Sequence, residues 1–87
     1  MNVRITSFSE PTRKVIRIVG KLHTEDIGEL EREARGTAGV LVVDVSELAF
    51  TDTAGAMFLN ALVCRGAELR GVSPYVALLL EQLESQG

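Results

Sequence analysis

The pattern of hydrophobic and polar positions changes along the chain and predicts alternating strands and helices. Val3 and Ile5 alternate with polar residues, which predicts a short half-buried strand, and 7–12 is typical of a turn. The β-branched run over 14–19 predicts a second strand, which a short loop would pair with the first. Residues 40–45 are aliphatic at five of six positions without alternation, as in a central strand buried on both faces.

Helical patterns separate and follow these strands. Residues 24–35 predict a mostly exposed helix with Thr24 as N-cap and a narrow apolar stripe. A second helix is predicted over 53–65, then a weak edge strand over 67–72. Ser73-Pro74 is a helix-start signal for a third helix. The order β-β-α-β-α-β-α predicts an α/β fold with crossover helices.

The residues that follow the central strand are candidates for a functional site. Residues 46–50 are predicted to form a loop at the carboxyl end of that strand, where sites gather in open α/β sheets. Asp52 and Thr53 then open the second helix, and either side chain can accept a hydrogen bond from its first turn. Asp44 is expected to satisfy loop N–H groups and to help position the Asp52 loop. Taken locally, helix capping alone explains Asp52 and Thr53.

The second helix is apolar around most of its circumference. Over 57–64 the apolar residues form three stripes, which are Phe58 with Leu62, Met57 with Ala61 and Cys64, and Leu59 with Val63. A helix on a sheet normally buries one face and exposes the rest. Either other elements bury this helix completely or the spare stripe is a docking surface, and 87 residues provide little material for complete burial. We therefore predict a protein-docking surface, which a phosphate at the helix start could control.

Composition and charge narrow the classes of function. With 46% hydrophobic and 24% charged residues, the 87-residue chain has the balance of a soluble globule, and we expect one domain, 1–87. The chain has one cysteine, Cys64, and one histidine, His23, which are too few for an internal disulfide or a zinc site. No apolar stretch is long enough to span a bilayer, so we expect a cytoplasmic protein without metal, cofactor or direct membrane insertion.

Two further classes of function are disfavoured. A net charge of −3 and scattered aromatic residues argue against a nucleic-acid partner. The single histidine is about thirty residues from Asp52, and no nucleophile, base and oxyanion set is apparent. We therefore predict that the protein is not an enzyme.

Three segments together resemble a STAS domain, the fold of bacterial anti-sigma factor antagonists. They are Val15–Leu22, Leu41–Leu48 and Phe50–Gly55, with Asp-Val-Ser ending the central strand and Asp-Thr-Ala-Gly opening the second helix. Gly66–Pro74 and the leucines after it resemble the family's last strand and helix. The resemblance covers about residues 13–84. It implies a single STAS-type α/β domain, with a mixed four-stranded sheet packed against three helices.

The resemblance also implies a non-catalytic regulatory module that acts in transcription. Antagonists of this family dock onto an anti-sigma factor that is also an ATP-dependent kinase. Phosphorylation of the second hydroxyl residue in their Asp-Ser-Ser-Gly motif releases them. That position is Ala54 here, which has no oxygen to phosphorylate, so the domain is always able to bind, uses Thr53 as the acceptor or serves another role. The predicted partner-binding residues are Asp44, Ser46, Asp52, Thr53, Ala54, Gly55, Met57, Phe58 and Ala61.

The Asp-Thr-x-Gly variant is similar to a second group of STAS proteins. These are the small STAS subunits of bacterial lipid-transport ABC systems, which bind and support the ATPase subunit. In that group a threonine at the position of Thr53 contributes to the contact. The two alternatives stay open, and both place the start of the second helix against an ATP-binding partner.

Overall fold

A four-stranded mixed sheet carries the helices of this protein. The computed structural model describes residues 3–35 and 39–86, with side chains as far as residue 83. The strands are β1 (Val3–Glu10), β2 (Arg13–Leu22), β3 (Val40–Thr51) and β4 (Glu68–Arg70). A 3-10 turn at Thr24–Asp26 leads into α1 (Ile27–Ala34), followed later by α2 (Thr53–Cys64) and α3 (Pro74–Gln86). The predicted α/β class and element order are confirmed.

The strands lie in the sheet in the order in which they occur in the chain. β1 and β2 form an antiparallel hairpin, and β2, β3 and β4 run parallel. Because both parallel crossovers step the same way across the sheet, the right-handed rule puts α1 and α2 on the same face. The main core joins that face to all three helices, and it includes Ile16, Ile18, Val43, Val45, Leu30, Leu59, Leu62 and Val76.

The opposite face of the sheet is called the open face below. The hydroxyl of Ser7 in β1 donates to Glu33 Oε1 in α1 at 2.6 Å, so Ser7 points towards the helices. Successive side chains of a strand point to opposite faces, so Phe8 lies on the open face, where it is 55% exposed. Arg17 and Asp44 pair in register on the same open face.

Two strands are longer than the sequence pattern predicts. β1 continues to Glu10 because residues 7–10 pair with 13–16, which leaves only two residues for the turn. The predicted loop over 46–50 is wrong, because β3 continues to Thr51 and pairs there with Leu22 of β2. Between the pair Arg17–Asp44 and the pair Leu22–Thr51, β3 contains two more residues than β2, and two register shifts accommodate them. Gly20, at the second shift, has a φ of +100°, which favours glycine.

The start of the first helical segment also differs from the prediction. His23 rather than Thr24 is the N-cap residue, and its backbone N–H donates to Asp26 Oδ2 at 3.0 Å. The predicted narrow stripe is confirmed, since Leu30 is buried while Ile27 and Ala34 are half-buried. Along the described ranges, no helix combines the length and the apolar character needed to cross a membrane.

Candidate functional site

The junction between β3 and α2 is held by the carboxylate of Asp52. Its Oδ1 accepts from the backbone N–H of Gly55 at 2.8 Å and so caps α2. Its Oδ2 accepts from both the backbone N–H of Thr24 at 2.8 Å and the Thr24 hydroxyl at 2.9 Å. The backbone N–H of Asp52 donates to the carbonyl of Leu22 at 3.1 Å. Asp52 therefore ties the start of α2 to the segment that follows β2.

These hydrogen bonds also fix the charge of Asp52. The N–H of Gly55, and after it the N–H and hydroxyl of Thr24, lower the pKa of the Asp52 carboxyl below its usual value. The positive end of the α2 dipole acts in the same direction. Since both carboxylate oxygens already accept hydrogen bonds from the protein, Asp52 serves as a structural clamp rather than a free base.

Gly55 makes the first turn of α2 fit against the end of β3. It is buried, and a Cβ at this position would collide with Thr51 Oγ1 and lie 3.2 Å from Leu22 Cδ2. Sequence reasoning placed Gly55 among the partner-binding residues. Gly55 packs inside the domain, and its role in partner binding stays a prediction.

One of the three apolar stripes of α2 faces solvent. Thr53 and Cys64 are exposed, Met57 is 57% exposed and Ala61 is half-buried. These four residues, at helical spacing, are called the outer stripe below. Ala54 is half-buried beside its start. The thioether of Met57 and the methyl group of Thr53 are therefore exposed to solvent in the first half of a helix whose opposite side packs against the core.

The other stripes of α2 point elsewhere. Leu59 and Leu62 are buried in the core, and Phe58 is half-buried and packs against that core. Val63 is 40% exposed at the far end of the helix. Phe58, which was predicted to bind a partner with Met57, therefore lies on a different side of α2 from Met57.

Asp44 and Ser46 lie far from Asp52. In the register of the sheet, Asp44 pairs with Arg17, and Thr51, the residue before Asp52, pairs with Leu22. Arg17 and Leu22 are five residues apart along β2, so Asp44 and Thr51 are separated by about 17 Å. The sequence prediction that Asp44 helps to position the Asp52 loop is wrong, because β3 continues where that loop was expected.

Asp44 instead has its own set of partners on the open face. Hydrogen bonds from the hydroxyl and the backbone N–H of Ser46, the second at 2.9 Å, lower the pKa of Asp44, and the charges of Arg17 and Arg70 add to this. Gly71, with a φ of +72°, packs so close to Ser46 that a Cβ there would lie 2.5 Å from the Ser46 Cβ. Asp44 and Ser46 thus join β3 to the strands and the loop beside it.

Three rings lie close to the Asp52 clamp, and sequence reasoning placed Phe50 in the candidate segment 46–50 but did not select His23 or Tyr75. The ring centroids of His23 and Phe50 are 5.5 Å apart, and those of Phe50 and Tyr75 are 6.5 Å apart. The Tyr75 hydroxyl donates to the carbonyl of Thr51 at 3.2 Å. Phe50 and Tyr75 are 38% and 39% exposed, so they enlarge the apolar surface at this edge. No local motif links three residues so far apart in sequence.

Comparison with known proteins identifies the fold. No family model matches the chain, and no curated protein sequence matches it. Among solved structures, the chain is similar to an antisigma-factor antagonist STAS domain from Rhodobacter sphaeroides, with 21% identity and a TM-score of 0.63. The match covers 84% of this chain and 94% of that chain. The chain therefore has the fold of a STAS domain, which confirms the predicted fold.

Proposed function

We propose that this STAS-fold domain is a non-catalytic regulatory module that docks onto an ATP-binding anti-sigma factor kinase. The docking surface consists of the outer stripe of α2 together with the exposed rings of Phe50 and Tyr75. A partner would bury this surface and contact Thr53 at the helix start. The structural neighbour is itself an antisigma-factor antagonist, which supports this class of partner.

The observation that carries the proposal is the exposure of Met57 on a helix that the domain itself holds in place. At 57% exposure, Met57 leaves a flexible, polarisable side chain in water, a type of residue common at protein-binding surfaces. Asp52 fixes the start of this helix through three hydrogen bonds within the domain. The backbone that carries the surface is therefore preformed, and docking does not have to order it.

The chemistry at this edge supports binding rather than catalysis. Both oxygens of Asp52 are engaged, and the ring of His23 lies beside Phe50. Thr53 is exposed, but no described side chain is hydrogen-bonded to its hydroxyl as a base would be. A reaction at Thr53 would therefore need a partner to supply the reactive groups, as a kinase does.

The mode of regulation differs from that of antagonists with two hydroxyl residues. Ala54 cannot accept a phosphate, so we propose that docking does not depend on modification at this position. Thr53 is the exposed hydroxyl next to it and is the candidate acceptor. A phosphate on Thr53 would add about −1.5 to −2 charges within the docking surface and would oppose binding.

A lipid-transport ABC ATPase is the alternative partner. It is favoured by Thr53, since a threonine that contributes its side chain to an interface has to be exposed, as this one is. The same outer stripe would serve in both cases. The two alternatives differ in the class of ATPase bound.

Affinity capture from cells of the native host tests the proposal. The baits are the wild-type chain, Met57→Glu and, as a control, Phe8→Glu, whose side chain has a matching 55% exposure on the open face. We expect wild type and Phe8→Glu, but not Met57→Glu, to capture a histidine-kinase-like ATPase that mass spectrometry identifies. An ABC ATPase with the same pattern would support the alternative. Capture of no ATP-binding protein, or equal capture by all three baits, would contradict the proposal.

A further inference from the structure

A cavity at the end of the sheet opposite the Asp52 clamp is independent of the proposed docking surface. Its volume is about 310 Å³. The last turns of α1 and α2, the start of β3 and the segment before β4 surround it. The lining residues are Glu31, Ala34, Arg35, Gly39, Val40, Leu41, Phe58, Leu62, Arg65, Gly66 and Ala67. Small-molecule pockets span roughly 300–1,000 Å³, so this cavity suits a small ligand.

The floor of the cavity is the incompletely covered margin of the core. Among the residues that the structure describes, eight hydrophobic ones pack against the main core while only partly buried. Four of these eight line the cavity, namely Ala34, Leu41, Phe58 and Ala67. About half of the partly buried margin of the core thus faces the cavity, which favours a ligand with an apolar body.

The rim of the cavity carries a net positive charge on a protein whose net charge is −3. Arg35 and Glu31 form an ion pair at 2.9 Å, so their charges largely cancel. Arg65 forms no ion pair with any residue that the structure describes. A guanidinium above an apolar floor is suited to the head group of an amphipathic anion.

Hydrogen bonds to several carbonyls at the ends of α1 and α2 reduce the repulsion that these helix ends exert on an anion. The N–H groups of Ala67 and Gly66 donate to the carbonyls of Leu62 and Val63 at 3.0 and 2.9 Å, which is a Schellman motif. At the end of α1, Lys14 Nζ donates to the carbonyl of Glu33. These donors reduce the negative end charge of both helix dipoles at the cavity.

We infer that this cavity binds a small amphipathic anion, with the head group on Arg65 and a short apolar tail against Phe58 and Leu41. The shared chemistry is a carboxylate or a phosphate monoester on an alkyl chain. Because the tail would contact Phe58 on the inner side of α2, the site is separate from the outer stripe. Binding here therefore does not depend on any docking partner.

Nuclear magnetic resonance titration of the full 87-residue chain tests this inference. The probes are sodium octanoate and octyl phosphate, with octanol as an uncharged control and acetate as a control without a tail. We expect saturable shifts of the amides of Gly39, Gly66 and Ala67 with one or both long-chain anions, and none with acetate. The anion that binds more tightly identifies the head group. An absence of saturable shifts with both anions, or equal binding of octanol, would overturn the inference.

Two variants and a matched control locate the ligand. Arg65→Gln should weaken binding about tenfold, while Arg4→Gln, which removes an exposed arginine from β1, should leave it unchanged. Ala67→Leu should fill the cavity and abolish binding, and the added apolar contact suits its position in the Schellman motif. Full affinity in both Arg65→Gln and Ala67→Leu would overturn the assigned site.

Discussion

Asp52 and Thr24 are 28 residues apart in sequence and are joined by two hydrogen bonds to a single carboxylate oxygen. The other oxygen of Asp52 caps α2. One side chain therefore couples the segment after β2 to the helix after β3, at the edge where the proposed docking surface lies.

This coupling predicts the stability of three variants. Asp52→Ala loses the helix cap and both Thr24 contacts, so we expect the free energy of unfolding to fall by about 2–3 kcal/mol. Asp52→Asn keeps an oxygen that accepts from the Gly55 N–H, but its amide NH₂ faces Thr24 and cannot accept from the Thr24 N–H. We expect the free energy of unfolding to fall about half as much as in Asp52→Ala. Thr24→Val loses one hydrogen bond, or about 1 kcal/mol. Urea denaturation measures all three, and equal stability of Asp52→Ala and wild type would contradict the clamp.

The lowered pKa of Asp52 predicts a dependence of stability on pH. The carboxyl has a lower pKa in the folded chain than its ordinary value of 3.8, so its charged form stabilises the fold above that value. The contribution is lost as the pH falls through 3.8 towards the folded pKa. The difference in stability between wild type and Asp52→Asn should therefore shrink between about pH 5 and pH 2. Denaturation at several pH values tests this, and a constant difference over that range would show that the Asp52 charge does not stabilise the fold.

Two glycine-to-alanine substitutions form a matched pair with opposite expected signs. At Gly55 a Cβ collides with Thr51, and overpacking of this kind costs about 2–3 kcal/mol. At Gly28, in α1, a Cβ meets no atom within 4 Å, and alanine should stabilise the helix by about 0.5 kcal/mol. Thermal unfolding of Gly55→Ala and Gly28→Ala measures both. A rise in Tm for Gly55→Ala would show that the close approach to Thr51 is not required.

Restoring a hydroxyl at position 54 tests the proposed mode of regulation. Ala54→Ser rebuilds two adjacent hydroxyl residues after Asp52, and Ala54 is half-buried near the exposed helix start. With ATP and the captured kinase, we expect Ala54→Ser to gain one phosphate relative to wild type. Mass spectrometry counts the phosphates, and Ala54→Ser with Thr53→Ala separates the two acceptors. If Ala54→Ser gains no phosphate, the alanine at position 54 is not the reason that this position lacks phosphorylation.

Much of the fold follows from local sequence patterns. The β-branched run of β2 and the aliphatic run that opens β3 predict paired central strands, and Ser73-Pro74 marks the start of α3. The end of β3 was not predictable in this way. Residues 46–51 remain in the sheet because they pair with β2 across two register shifts, which the hydrophobic pattern of β3 alone does not encode.

The candidate site was predictable only in part. The apolar circumference of α2 indicates that one stripe is exposed, but tertiary packing decides that Met57 faces solvent while Phe58 turns towards the core. The Asp-Thr-Ala-Gly motif points to the helix start. The contact between Asp52 and Thr24 and the position of Tyr75 depend on chain segments that only the folded sheet brings together.

Isothermal titration calorimetry with the captured ATPase tests the docking surface most directly. Replacing Met57 by glutamate places a charge in a contact that docking must dehydrate, so affinity should fall at least tenfold. Thr53→Glu should weaken binding in the same direction. Phe8→Glu, with its similarly exposed side chain on the open face, should bind like wild type. Wild-type affinity in both Met57→Glu and Thr53→Glu would contradict docking through the outer stripe of α2.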